Sequence, residues 1–502
     1  MLTYDLGTTG LKTALFDPAD GRLLALAERE IPVHRPQPAW VEQEPEDWWQ
    51  AVLATTREVL AAAPGAVVQG IGLSTQRETV VPVAEDGSVL RSALMWQDRR
   101  ALAEARELGE RLGADRIHQV TGMRAEPVFS AAKLLWLKRH QPEIWKRARW
   151  LLLPKDFLAL RLTGAPFLDP SIASRTMLYD VRRRDWWPEV LELLELSPDR
   201  LAPVVGSGEC GGLLSAQAAA TLGLPAGIPV AAGGGDRPCE ALGAGVGEGR
   251  VMESTGTATN LSAAASQLGE RLPDGIIVSA HVLPGQWLLE QGISTGGSIL
   301  KWLRDQVTGL PYEELNRLVL GVKPGAGGLL LLPFFMGAQA TRWNAEARGV
   351  LFGLSLGHGQ GELARAVMEG VAMEVRACLA VLDREGVEAR ELVTLGGGAK
   401  SPVWRQIKAD VAGRPVAAVQ NPHSASVGAM LLGATAAGLL SDPLAAARRL
   451  NPVTEVQTPR ASHTAFYTQW FQLYNELYRS VEGLYRRLDE LAAAAPDDQE
   501  EV

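Results

Sequence analysis

An α/β protein built from two similar domains, with a cleft between them, is the architecture this chain predicts. Three observations carry that expectation. At 502 residues the chain is too long for one core, so two domains and a tail are the starting point. Two Gly/Thr turns, Asp5-Leu-Gly-Thr-Thr-Gly-Leu-Lys12 and Glu253-Ser-Thr-Gly-Thr257, lie half a chain apart, and each follows or interrupts a strand-like apolar run. The opening residues themselves read as strand, turn, strand, hairpin, strand.

The opening strands are Leu2–Leu6, 11–16 and 23–29, the last two joined by a hairpin turn at Asp17-Pro-Ala-Asp-Gly21. Three antiparallel strands with a phosphate-sized turn between the first two are the opening of a ribonuclease H-like, actin-like ATPase domain. A helix is expected over Pro45–Ala62, with proline at its start and an apolar face through Trp48, Val52, Val59 and Leu60. Residues 67–73 read as a buried strand ending at Ser74-Thr-Gln-Arg-Glu-Thr79, and 93–96 as a short strand after the Asp86-Gly87 hairpin. Helices are expected over 101–112, 129–139, 142–149 and 156–162, with a charged, Trp-rich one over 182–196. Residues 228–232 form a strand running into Gly233-Gly-Gly-Asp236. Glycine is dense around Gly247, which puts the domain boundary there. The division is then 1–247 and 248–495, with 496–502 as an acidic tail that frays.

The second domain opens with strands at 250–254, 258–265, 276–283 and 287–291 and a helix at 298–307. A buried strand at 329–335, a long helix at 362–385 and a strand at 392–395 follow, the last emptying into Gly396-Gly-Gly-Ala-Lys-Ser401. The final element, 466–491, carries Phe466, Trp470, Tyr474, Tyr478 and Tyr485 at helical spacing, which reads as a packing stripe.

Composition narrows the partners. The chain is 46% hydrophobic and 21% charged, ordinary for a globular protein, and its net charge of −9 argues against nucleic acid. Three cysteines, Cys210, Cys239 and Cys378, have no paired spacing, so neither disulfides nor a zinc site is expected and a cytoplasmic location fits. Asp5 interrupts the first strand, so a signal peptide is not expected. The small-residue stretch 424–440 falls short of a membrane span and reads as a buried helix in close backbone contact with a neighbour. No membrane partner is expected, and a homodimer is left open.

The chain has no Gly-Lys dipeptide, hence no Walker A loop, and no G-x-G-x-x-G turn opening a helix. A nucleotide site would therefore be built from separate loops. Thr8, Thr9 and Lys12 would approach the β- and γ-phosphates, Gly256 and Thr257 would approach from the other domain, and Gly396–Gly398 would lie against adenosine. Any one of these turns alone reads as a structural hairpin; three at strand ends favour a nucleotide. Asp236 ends a predicted buried strand between two such loops, where a carboxylate can accept the proton of an attacking hydroxyl. Asp5 suits Mg²⁺ and its water shell, with Asp236 as the second carboxylate facing the metal through water. Arg77-Glu78 reads either as a solvated ion pair or as a clamp for vicinal hydroxyls, with Trp96 as an apolar wall.

Two longer patterns carry a resemblance: Ser130-x-x-Lys133-Leu-x-Trp136-Leu-x-Arg-His140, and Gly349-x-Leu-x-Gly-Leu354 followed by Glu362-Leu-x-x-Ala-Val-Met-Glu369. From Leu2 to about Leu440 the chain resembles the FGGY carbohydrate kinases, which include glycerol kinase, xylulokinase and gluconokinase. The resemblance implies two actin-like domains, ATP and Mg²⁺ as cofactors, and Asp236 as general base. It also implies Thr8, Thr9, Lys12, Gly256, Thr257, Gly297, Gly397, Gly398 and Ser401 near the nucleotide. Gln76-Arg-Glu-Thr79 and Ser174-Arg-Thr-Met-Leu178 look most like glycerol kinase, whereas 40–49 and Gly233–Asp236 look more like xylulokinase. Val128, Asn260 and Arg237 depart from glycerol kinase, which implies a roomier, more polar acceptor pocket touched by Arg77, Glu78, Trp96, Asp236 and Arg237. A small-molecule sugar or polyol is the expected partner, with a ketopentose such as xylulose favoured. Glycerol is the alternative acceptor. An actin- or heat-shock-type ATPase switch is the alternative from another class.

Overall fold

The computed structural model describes residues 1–494, and the expected acidic tail at 496–502 lies outside them. In the first lobe Leu2–Leu6 pairs antiparallel with Gly10–Phe16, which pairs antiparallel with Leu23–Glu30. On its other side Leu2–Leu6 runs parallel to Ile71–Thr75, which runs parallel to Pro229–Ala231, and Cys210–Leu213 closes the edge antiparallel. The second lobe repeats this pattern. Gly249–Thr255 pairs antiparallel with Thr259–Ala265, and that strand with Trp287–Ile293. Ala389–Leu395 and Val416–Val419 then follow in parallel, and Val453–Gln457 closes the edge antiparallel. Each lobe is thus the three-strand meander plus parallel crossovers of a ribonuclease H-like, actin-like domain, as the opening strands predict. The two Gly/Thr turns occupy equivalent corners, between the first two strands of each sheet.

Helix Ser424–Ala436 comes from the second half of the chain but packs on the sheet of the first lobe and on helix Asp236–Gly243. Glycine makes this possible. A Cβ at Gly72 would sit 1.9 Å from the carbonyl oxygen of Ala429, and one at Gly428 would sit 2.0 Å from that of Cys239. The small-residue composition of 424–440 is therefore a close backbone crossing, as expected. Among the described residues no helix is long and apolar enough to cross a membrane.

Several elements differ from their sequence expectation. The strand expected at 67–73 is Ile71–Thr75, buried throughout, while Val67 is 81% exposed. Pairing with Leu2–Leu6 sets its start, not the apolar run. Of the helix expected at 182–196 only Pro188–Leu194 forms. The preceding residues make a hairpin from Tyr179–Asp180 and Asp185–Trp186, because the Asp180 carboxylate accepts from the Arg182 and Arg183 amides and closes a turn. Of 329–335 only Leu330–Leu332 pairs as a strand, and the final element is broken between Ala461–Val481 and Tyr485–Ala493.

Candidate active site

The glycines before Asp236 exist because the chain runs hard against its neighbours there. Gly233 has φ 72°, and a Cβ on it would lie 2.4 Å from the Leu73 carbonyl oxygen. A Cβ on Gly235 would lie 2.6 Å from Cδ of Arg77, so this glycine leaves the channel through which the Arg77 side chain passes. Gly234–Gly235 pairs with Ser74 and Thr75, and the Gly235 amide donates to the Ser171 hydroxyl at 3.0 Å. Asp236 then opens helix Asp236–Gly243, and its carboxylate lines a cavity of about 680 Å³ between the lobes. Asp5, Thr9, Lys12, Arg237 and Glu240 line the same cavity, with Ser254 from the second lobe.

A second cavity, of about 500 Å³, is lined by Gly256, Thr257, Gly297, Gly397, Gly398 and Ser401. Lys301, Tyr312 and Asn316 complete it. Ser254 faces the first cavity and Thr255 the second, so the two adjoin along one strand end. The second cavity is a backbone cradle. A Cβ on Gly297 would lie 2.5 Å from the Gly256 carbonyl oxygen, and one on Gly398 would lie 2.7 Å from Cβ of Thr255. The two turns meet without side chains between them, while Leu300, Tyr312 and Trp404 wall the rest, and such a slot fits a flat, phosphate-bearing ligand.

The carboxylates of the first cavity repel one another. Burial pushes the Asp5 carboxyl up to about 6, the Ser74 hydroxyl donating to it at 2.7 Å opposes this, and Asp236 and Glu240 add to the rise. Clustered oxygen ligands of like charge fit a hard divalent cation. Among the described residues no group of three His, Cys, Asp or Glu side chains converges closely enough to hold a metal directly.

Of the expected acceptor residues Arg77 and Glu78 are buried and already paired, while Trp96, Asp236 and Arg237 are partly exposed. Arg77 places Nη1 and Nη2 on the two oxygens of Glu290, each at 2.9 Å, and its Nε lies 3.2 Å from Oδ1 of Asp236. Glu78 accepts from Nε of Arg175 at 2.6 Å and holds a left-handed backbone at φ 63°, an outlier for a non-glycine residue. The reading of Arg77-Glu78 as a solvated pair is thus excluded, and the two residues do not bond to each other. Burial would push Glu290 up, but Arg77 and Arg175 overcome it and hold its carboxyl at about 2. Burial would likewise lower Arg77, but Glu290, Asp236 and Glu78 raise it. Trp96 donates from Nε1 to the Thr8 hydroxyl at 2.9 Å. That bond turns the Thr8 side chain toward Trp96, and Thr8 is not among the residues lining either cavity, unlike Thr9. Lys12 lies 3.7 Å from Glu28 at the cavity rim. Arg237 pairs with Glu240 at 2.8 Å. Ser401 lines the nucleotide-sized cradle, though its hydroxyl caps helix Pro402–Ala412 and donates to Asn316 at 2.8 Å.

Sequence reasoning missed Glu290 and Arg175. Glu290 is a lone carboxylate after Leu288 and Leu289 in a predicted strand, which was the available signal; its charged partners, Arg77 and Arg175, lie on the other lobe. The run 40–49 proves to be a brace: Glu42 pairs with Arg91 and Arg100, Arg100 stacks 3.6 Å from the Trp40 ring, and Gln43 donates to the Thr8 carbonyl at 2.9 Å.

Two actin-like lobes closing on this polar cleft place the protein among the two-domain phosphoryl-transfer enzymes. Comparison narrows the class. The FGGY family of carbohydrate kinases matches with its N-terminal domain over residues 1–243 and its C-terminal domain over residues 254–437. A xylulose kinase from Escherichia coli K12 is 33% identical over 482 residues, 95% of this chain and 98% of that protein. A glycerol kinase from Gloeobacter violaceus is 32% identical over 481 residues, 94% and 95% of the two chains. The crystal structure of a xyloylose kinase from Brucella ovis superposes with a TM-score of 0.90 at 32% identity, covering 96% of this chain and 99% of that one. The chain belongs to the FGGY family of carbohydrate kinases.

Proposed function

We propose that this kinase transfers the γ-phosphoryl group of ATP to a hydroxyl of a ketopentose such as xylulose, with Asp236 as the general base. The observation that carries this reading is the position of Asp236. It shares a cavity with Asp5 and Thr9, and that cavity adjoins the glycine cradle at Ser254 and Thr255. Residues 1–247 then serve the acceptor and 248–495 the nucleotide. Gly256, Thr257, Gly297, Gly397, Gly398 and Ser401 enclose the nucleoside end, while Thr9 and Lys12 face the phosphates. Asp5 and Asp236 would hold Mg²⁺ through water, and the ion would supply neutralisation of the phosphate charge. Asp236 accepts the proton of the attacking hydroxyl, Arg77 orients Asp236, and Glu78, Trp96 and Arg237 border the sugar. The xylulose kinases among the relatives favour the ketopentose; the grouping of Arg77, Glu78 and Trp96 with Asp236 is a feature that a bare ATPase switch does not need.

The test is ADP release at fixed ATP and Mg²⁺ across ketoses, glycerol, longer polyols and sugar acids. Turnover should depend on acceptor and be fastest with xylulose. Equal turnover with no acceptor, unchanged by every sugar, would overturn the kinase reading, and a clear preference for glycerol would overturn the acceptor. Asp236→Asn should retain ATP binding in calorimetry and lose about 100-fold or more of the transfer rate.

A further inference from the structure

We infer that Glu290, on strand Trp287–Ile293 of the second lobe, is a positioning residue for the acceptor site of the first lobe and acts through Arg77. The inference rests on the acceptor site proposed above. A guanidinium is a rigid plane, so fixing two of its nitrogens fixes where the third lies. Glu290 takes Nη1 and Nη2 of Arg77 at 2.9 Å each, which leaves Nε 3.2 Å from Oδ1 of Asp236 as an ion pair. The same carboxylate is held from other sides. Arg175 donates to Oε2 at 3.4 Å and Ser279 at 3.3 Å, while Nε of Arg175 grips Glu78 at 2.6 Å.

The charges therefore alternate along one chain: Asp236, Arg77, Glu290, Arg175, Glu78. Its two ends are the proposed base and a proposed acceptor residue, and its centre is the only member from the second lobe. The side chains of Arg77, Glu290, Arg175 and Glu78 are 7–13% exposed, whereas that of Asp236 is 39% exposed. Those four are thus stiffened by a low-dielectric surrounding while the Asp236 carboxylate stays open to the cleft. Glu290 adds nothing to the apolar packing of its own strand, where Leu288 and Leu289 are buried. Its partners are all polar, and the two strongest belong to the other lobe. The acceptor site is complete only when the second lobe presents this carboxylate, so sugar binding and lobe apposition are coupled through one side chain.

A double-mutant cycle tests this in the full chain, with Arg77→Met, Glu290→Gln and the pair, measuring kcat and KM separately for xylulose and for ATP. Glu290→Gln keeps the shape and should lower kcat/KM for the sugar by about 10- to 100-fold. The KM for ATP should move by no more than about twofold, a split that general destabilisation would not produce. In the Arg77→Met background the second substitution should add nothing further. Glu290→Asp keeps the charge but shortens the reach, and is expected to show the same dependence on Arg77. If Arg77→Met lowers sugar turnover while both Glu290 variants leave it unchanged, or if the losses simply multiply, the inference fails. If Arg77→Met itself leaves transfer untouched, it is the acceptor-site reading that falls.

Discussion

Lys408 lies on helix Pro402–Ala412, yet its partners flank the second Gly/Thr turn. Its ammonium sits 2.8 Å from Glu253 and 3.1 Å from the Thr255 hydroxyl, and Lys408 and Glu253 are both without solvent exposure. Thr394 donates to the same Glu253 oxygen at 2.6 Å. Removing one partner of such a pair strands the other, so Lys408→Met should lower stability by about 3–5 kcal/mol in urea titrations. It should also raise the KM for ATP, because the turn it braces forms the cradle. Lys133, from the first long sequence pattern, supplies a pH test. Burial lowers its ammonium from 10.5 to about 7, with Glu78 opposing. Between those values the unfolded chain binds the proton and the folded one does not, so this group makes stability rise with pH. Lys133→Met should flatten that slope in denaturant midpoints measured from pH 7 to 10. At this level the place of Asp236 at the cleft was legible, since glycines before a lone carboxylate at a strand end are a local signal. Glu290 escaped because a charge in an apolar strand has meaning only beside its partner.

Turns and strand alternation were legible because backbone dihedral preferences and period-two burial act over a few residues. Both Gly/Thr turns and the opening meander follow from them. The residues at 182–196 were misread because helical periodicity and charge also suit a hairpin once the Asp180 carboxylate captures two amides. The glycine crossing of helices Asp236–Gly243 and Ser424–Ala436 gives the sharpest test of element packing. Gly428→Ala would put a Cβ 2.0 Å from the Cys239 carbonyl oxygen, against backbone that cannot step aside. The helices must separate, and a loss of about 3 kcal/mol or more is expected. Gly483→Ala, where nothing lies within 4 Å of the added carbon, should change stability by no more than about 0.5 kcal/mol. Equal denaturation midpoints for the two variants would refute the close crossing.

The two lobes are joined by that crossing and by the Glu290 clasp; the first cavity lies between them, and the glycine cradle beside it belongs to the second lobe. Binding both substrates should bring the lobes together and exclude water from the reacting phosphate. Small-angle scattering should record a smaller radius of gyration with a non-hydrolysable ATP analogue plus sugar than with either alone, and an unchanged radius would refute closure. The duplicated strand order, the two phosphate-sized turns, the small-residue helix and the aspartate after its glycines were all written in local residue order. They depend on hydrogen bonds, φ preferences and burial period within a few positions. Which charge meets which was settled only by the folded chain. Arg77 and Glu290 are 213 residues apart, and no local propensity relates them. Their pairing exists because the packing of the two sheets brings one strand end against another and removes the water that would otherwise satisfy both charges.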